Sequence, residues 1–124
     1  MQLSQPQVDV ARRMAQSFKR GWDMWAQLIK VRLKPGKNLA VAAAQLRAAE
    51  QPGSGLAREM FMRDQKDPGQ AYILAVFESE EKARAREQDP RRQEGLQGMR
   101  ATMADILAGP PEFTDLIIED EWTG

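Results

Sequence analysis

Few side chains in this chain of 124 residues could do chemistry, because it contains neither histidine nor cysteine. Their absence excludes most zinc sites, iron–sulfur clusters, thiol redox chemistry, histidine-ligated haem and Ser-His-Asp triads. Tyr72 is the one phenol available for acid–base work, although a structural hydroxyl is the simpler interpretation. Arg32 and Arg58 interrupt strand faces that are otherwise apolar, and either could hold an anionic substrate by a two-pronged hydrogen bond.

Each remaining candidate also has an ordinary structural explanation. We expect the two arginines to pair with carboxylates on neighbouring strands or across a dimer, the candidates being Glu59, Glu119 and Asp120. Trp25 could stack on a flat ligand, but a tryptophan on a strand is more often core. Asn38, the single asparagine, stands where a helix begins, so capping explains it. The acidic residues match no calcium loop, and we predict neither a metal nor another cofactor.

Charge is balanced overall but unevenly distributed. The chain has 18 Lys+Arg and 18 Asp+Glu; residues 1–21 carry a net charge of +3 and residues 110–124 a net charge of −5. Because the basic residues are interleaved with apolar ones and lack a stacking platform, we expect no nucleic-acid binding. No apolar run is long enough to span a bilayer and no signal peptide is recognisable. The default expectation is a cytoplasmic protein.

The pattern predicts a leading helix followed by four strands and their connecting helices. Residues 6–20 have an apolar stripe at helical spacing, ended by Gly21. Proline, glycine and capping residues separate the later elements. These are strands at 24–33, 56–64, 70–77 and 113–122, and helices at 38–50, from Ser79 onward, and from Asp89 to about Leu107.

This element order predicts the fold class. Apart from the leading helix it is β-α-β-β-α-β, the split arrangement of ferredoxin-like α+β folds. We therefore predict a helical extension over 1–21 and one domain over 22–124, with a four-stranded antiparallel sheet covered by helices on one face.

The uncovered face of that sheet predicts a partner. Strand 70–77, QAYILAVF, is apolar on both faces, whereas a solvated face should alternate with polar residues. An apolar face of this size exceeds what monomers usually expose. We predict a homodimer with sheet packed against sheet; the alternative cover, the leading helix, is narrow for four strands.

Three stretches of sequence resemble antibiotic-biosynthesis-monooxygenase-like domains. They are WAQLIKVRLKPGKNLAVAAAQL, AYILAVFESEEKARAREQDPRRQEG and LAGPPEFTDLIIED, so the resemblance spans roughly 24–121. It implies a dimeric α+β barrel with small-molecule pockets between sheet and helices. Some members of the family oxidise aromatic polyketides without metal or flavin, others degrade haem, and others isomerise or lyse small acids.

The resemblance leaves the activity open. The haem-degrading branch uses a first-strand asparagine and a helical histidine, both absent here. The polyketide branch uses asparagine, tryptophan and arginine near the substrate, and Asn38 is the one asparagine that this chain offers. We expect either a cofactor-independent monooxygenase acting on an aromatic or polycyclic molecule, or a non-catalytic dimer that binds a hydrophobic metabolite or is purely structural. An enzyme should bring Tyr72 and an arginine into one cavity.

Overall fold

The computed structural model describes residues 23–124 and shows the predicted α+β arrangement. The leading helix and the boundary at 21 lie outside the described residues. The elements are β1 (Trp25–Arg32), α1 (Ala40–Ala49), β2 (Leu56–Arg63), β3 (Gln70–Phe77), α2 (Glu80–Glu87), α3 (Pro90–Gly95), α4 (Met99–Ile106) and β4 (Glu112–Ile117).

The four strands form one antiparallel sheet in the order β2-β3-β1-β4. The order confirms the ferredoxin-like prediction, because the strands that come first and third along the chain lie side by side in the centre. Each helical connection therefore crosses the sheet, and the helices all lie on one face.

The two faces of the sheet differ in burial as β3 shows. Its alternate residues Ala71, Ile73, Ala75 and Phe77 are buried under the helices, Ile73 to 2% exposure. The residues between them on β3 are half-buried on the opposite, open face. Both faces of this strand are apolar, as predicted.

The buried face carries two core clusters. One surrounds Val31 and Ile73, and Leu39 of the β1–α1 connection and Ile106 of α4 pack into it. The other contains Trp25, Ala75, Phe77 and Ala83 of α2. The clusters hold α1 and α4 over one end of the sheet and α2 over the other.

A β-bulge interrupts the regular alternation of β2. Regular alternation would place Leu56 and Arg58 on one face, but Leu56 pairs with Phe77 while Arg58 pairs with Val76. The extra residue turns Leu56 onto the helix face, where it packs against the second cluster. The adjoining Gly55 has φ +83, and a Cβ there would lie 2.6 Å from the Lys82 Cβ.

Two predicted boundaries are also corrected. The helix predicted from Asp89 to about Leu107 is two helices, α3 and α4, and α3 ends at Gly95. A Cβ on Gly95 would lie 2.9 Å from the Cβ of Ala49, so this glycine permits the close approach of α3 to α1. The last strand ends at Ile117 instead of at 122, because beyond Trp25 the ladder retains only a 3.4 Å bond from the Ile118 N–H to the Met24 carbonyl.

Candidate functional site

A pocket opens on the helix side of the sheet, between the end of β2 and the start of α1. We call it the helix-side pocket. Its volume is about 330 Å³, at the lower end of the range for small-molecule sites. Its lining residues are Leu33, Asn38, Leu39, Ala40, Phe61, Met62, Arg63 and Ala71.

The walls of this pocket are apolar and its rim is cationic. Phe61 and Arg63 lie on the same face of β2, because they are two residues apart. Arg63 also lines an adjoining cavity of about 200 Å³, together with Lys34 and Lys37. Lys34 Nζ donates to the Ala104 carbonyl, and Lys37 pairs with a carboxylate of α4 at 3.2 Å. Within residues 23–124, Arg63 has no ion pair.

Asn38 stands on the rim, just before α1. Its Oδ1 accepts a hydrogen bond of 2.9 Å from the N–H of Ala40, the first residue of α1. The N-cap position is Leu39 and not Asn38 as predicted, so Asn38 satisfies an N–H of the first turn from one residue further upstream. This bond uses the oxygen of the amide and leaves its two N–H donors for another partner, since no further side-chain bond of Asn38 forms within the described part of the chain.

Comparison with solved structures identifies the fold. A protein assigned as an antibiotic biosynthesis monooxygenase from Chloroflexus aurantiacus is 24% identical, with a TM-score of 0.56 over 76% of this chain and 91% of that one. A mutant of SnoaB, a cofactor-independent oxygenase from Streptomyces nogalater, is 16% identical, with a TM-score of 0.57 over 76% and 91%. A protein from Caulobacter crescentus with the same assignment as the first is 17% identical, with a TM-score of 0.60 over 86% and 96%.

This chain has an antibiotic-biosynthesis-monooxygenase-like fold. At these identities the likeness concerns the fold, and no family model or curated protein matches the sequence. The helix-side pocket of this monooxygenase-like domain lies between sheet and helices, where the sequence resemblance implies a small-molecule site.

The monooxygenase-like domain does not bring the other predicted site residues together. Trp25 is buried under α2, with its ring centroid 5.9 Å from that of Phe77 and the Arg84 guanidinium 4.9 Å from its centre. Tyr72 lies on the open face opposite Lys30. Neither residue lines the helix-side pocket, and their roles in binding stay predictions.

The two arginines lie at opposite ends of the sheet. Arg32 ends β1 and pairs with Asp67 of the β2–β3 turn at 2.6 Å, and its hydrogen bond lowers the pKa of Asp67. The expected carboxylate partner is therefore present, but it comes from a turn and not from Glu59, Glu119 or Asp120. Arg58 has no ion pair within residues 23–124.

Arg58 lines a second, larger cavity on the open face, which we call the open-face cavity. Its volume is about 680 Å³. It lies at the end of the sheet where β1 begins and β3 ends, and the segment after β4 borders it. The lining residues are Asp23, Met24, Ala57, Arg58, Met60, Leu74, Val76, Glu78, Ile118, Asp120 and Glu121.

A group of charged side chains lies between the helices and β2, away from both cavities. The Arg86 side chain, 6% exposed, donates to both carboxylate oxygens of Glu50 at 2.7–3.1 Å. Burial alone would raise the pKa of Glu50, but the hydrogen bonds and charge of Arg86 outweigh it, so the pKa is lowered. Burial raises the pKa of Glu59, which Arg86 only partly offsets, and lowers the pKa of Arg92.

Arg63 is the candidate that sequence reasoning missed. Its spacing from Phe61 predicts that both lie on one strand face, which was the available signal. Among residues 23–124 no group of three acidic side chains could hold a metal ion. Over the same range no helix has the length and apolar character needed to cross a membrane.

Proposed function

We propose that this protein binds an apolar small molecule carrying an anionic group, with the apolar body in the helix-side pocket. The supporting observation is the combination of apolar walls with Arg63 at the mouth. A ligand body that displaces water from the half-buried Phe61 gains about 25 cal/mol for each Å² of apolar surface removed from water. The guanidinium adds a charge-assisted hydrogen bond that selects for the anion.

The rim strengthens the case for an anion. Lys34 and Lys37 line the cavity next to the helix-side pocket. Asn38 and Arg63 line both cavities. Three cations spread over two adjoining cavities raise the local concentration of anionic ligands. Lys34 donates to a carbonyl and not to a carboxylate, and the carboxylate partner of Lys37, Asp105, is exposed.

We also propose that the protein acts as a homodimer through its open face. Leu28, Leu74 and Val76 are half-buried there, and Met60 and Met62 are 37% and 40% exposed. Burying several such side chains in each subunit, at about 1.5–3 kcal/mol for each one fully buried, is enough to drive pairing.

Binding of 1-anilinonaphthalene-8-sulfonate tests the pocket, because this probe joins an aromatic body to an anion. We expect enhanced fluorescence with the native protein. Ala40→Phe should abolish it by filling the pocket, and Arg63→Gln should weaken binding about 10-fold, the loss expected for one charge-assisted hydrogen bond.

Two matched controls separate the pocket from general surface effects. Ala44→Phe places the same ring on an exposed position of α1, and Lys66→Gln removes a cation from the β2–β3 turn; neither residue lines the pocket. Both should leave the affinity unchanged. Equal loss in test and control variants would refute the proposed site.

A cofactor-independent oxygenase is the second candidate, favoured by the position of Asn38 on the pocket rim. The structural likeness to SnoaB supports it, but Tyr72, Arg32 and Arg58 do not line this pocket. In such a reaction the substrate loses a proton, and the resulting carbanion reduces O₂. An anthrone methylene and O₂ then give a ketone and water.

Aerobic and anaerobic incubation with a panel of hydroxyanthrones tests this candidate. We expect oxygen-dependent quinone formation that Asn38→Asp lowers at least 10-fold, because the substitution keeps an oxygen that can accept from the Ala40 N–H but removes the amide donors. Wild-type turnover no faster than the protein-free rate would exclude the oxygenase for these substrates.

A further inference from the structure

The cavity next to the helix-side pocket is lined by three cationic side chains, and we call it the cationic cavity. Its volume is about 200 Å³, and it lies between the turn after β1 and the turn between β2 and β3. Among the described residues that line it, three are cationic and none is acidic: Lys34, Pro35, Gly36, Lys37, Asn38, Arg63, Pro68 and Gly69. Such a lining suits a group that carries more than one negative charge.

The two lysines are anchored on adjacent residues of α4. The Nζ of Lys34 donates to the Ala104 carbonyl at 2.9 Å, and the Nζ of Lys37 lies 3.2 Å from a carboxylate oxygen of Asp105. Each of these bonds occupies one of the three N–H donors of an ammonium group, so both lysines retain donors for a ligand. With Arg63 included, the three cations and the one carboxylate leave a net charge of +2.

The carboxylates of the β2–β3 turn have other partners. Asp67 pairs with Arg32 at 2.6 Å, and Asp64 accepts from the backbone N–H groups of Lys66 and Asp67. Neither carboxylate belongs to the lining of the cationic cavity. Within residues 23–124, the three cations of the cavity therefore make one ion pair, that of Lys37 with Asp105.

We propose that the ligand of the helix-side pocket is a phosphate monoester, with its apolar body in that pocket and its phosphate in the cationic cavity. This inference rests on the proposed function and specifies its anion. A phosphate monoester carries a charge of about −1.5 to −2 at pH 7 and presents three acceptor oxygens. It therefore matches the three cationic side chains and their net charge, whereas a carboxylate or a sulfonate brings a single charge.

The boundary between the two spaces allows one molecule to occupy both. Asn38 and Arg63 line the helix-side pocket and the cationic cavity alike. The planar guanidinium of Arg63 can donate two parallel hydrogen bonds to phosphate oxygens, and the lysines add point charges. The N–H donors of the Asn38 amide lie at the same boundary, since its oxygen accepts from Ala40.

Three probes with the same ring test the proposal by calorimetric titration into the full chain: 1-naphthyl phosphate, 1-naphthalenesulfonate and 1-naphthol. We expect the phosphate to bind at least about 10-fold more tightly than the sulfonate. Lys37→Gln should weaken binding of the phosphate at least about fivefold and change that of 1-naphthol less than about twofold. The control Arg47→Gln removes a cation from an exposed position in the last turn of α1, outside both spaces, and should change neither affinity.

Asp105→Asn gives a result that loss of folding cannot mimic. Without its carboxylate partner, Lys37 should raise the affinity for 1-naphthyl phosphate at least about threefold and leave that for 1-naphthol unchanged. A phosphate that binds no more tightly than the sulfonate, or equal effects of Lys37→Gln and Arg47→Gln, would overturn the phosphate inference and leave the proposed pocket intact. Ala40→Phe should weaken all three probes by filling that pocket; unchanged binding in this variant would contradict the proposed function instead.

Discussion

Leu28→Arg is expected to convert the protein from a dimer to a monomer at micromolar concentration. Leu28 lies in the middle of β1 on the open face, paired with Leu74 and Thr114, and outside the open-face cavity. In a symmetric sheet-to-sheet dimer the substitution introduces two guanidinium groups into an apolar interface. Burying an unpaired charge costs several kcal/mol. We expect the dimer Kd to rise at least about 10³-fold, which corresponds to about 4 kcal/mol.

Light scattering over a range of concentrations measures this effect. Val41→Arg is the matched control, because Val41 is 61% exposed on α1 and belongs to the helix side. It should remain dimeric. Circular dichroism should show the Leu28→Arg monomer to be folded. A wild-type protein with the 14.0 kDa mass of one chain, or an unchanged Kd in Leu28→Arg, would contradict the proposed interface.

Arg86→Met is expected to lower the free energy of unfolding by about 3 kcal/mol at pH 7. The change retains an unbranched side chain over the Phe77 ring, to which the guanidinium lies at 5.3 Å. It leaves Glu50 ionised without its bidentate partner. Loss of one member of a buried pair typically costs about 3–5 kcal/mol, and the lower end applies because the Glu50 side chain keeps 23% exposure.

The pH dependence of this loss follows from the lowered pKa of Glu50. The ordinary pKa of a glutamate side chain is 4.5, and the pKa of Glu50 in the folded state lies below that value. The pairing therefore contributes its full stability above pH 4.5 and loses it as the pH falls through the folded-state pKa. The difference in stability between wild type and Arg86→Met should accordingly shrink as the pH falls below 4.5.

Urea denaturation at several pH values measures both the loss of stability in Arg86→Met and the pH dependence of that loss. Arg91→Met is the control, since Arg91 is 64% exposed in its pair with Asp89 and its loss should cost far less stability than that of Arg86. The double variant Arg86→Met/Glu50→Gln should recover part of the loss, because it removes the unpaired charge. A cost for Arg86→Met as small as that for Arg91→Met would show that the buried pair contributes little.

Local patterns predicted the order and type of the elements between Trp25 and Gly124. The double-sided apolar character of β3, and the caps at Ser79 and Asp89, involve residues close together in sequence. Both caps are present, with Ser79 accepting from the Lys82 N–H and Asp89 from the Arg91 N–H. These sequence patterns predict the folded structure correctly because they depend on contacts between residues that are close together in sequence.

The errors arose where the outcome depends on a neighbouring element. The alternation of β2 is compatible with a regular strand, and only its pairing with β3 reveals the bulge after Leu56. The helix after Asp89 ends at Gly95, where α3 approaches Ala49 of α1. The local sequence at the bulge does not distinguish it from a regular strand, and the local sequence at the helix end does not distinguish it from one continuous helix.

The sequence by itself determined the α+β class, the strand order expected of a split arrangement and the exclusion of histidine and cysteine chemistry. The tertiary structure decided which side chains meet. In the folded domain Arg63 lies at the mouth of the helix-side pocket, Arg32 forms an ion pair with Asp67, and Arg58 lines the separate open-face cavity. These contacts join residues that only strand register and helix crossing bring together, and no local periodicity encodes them.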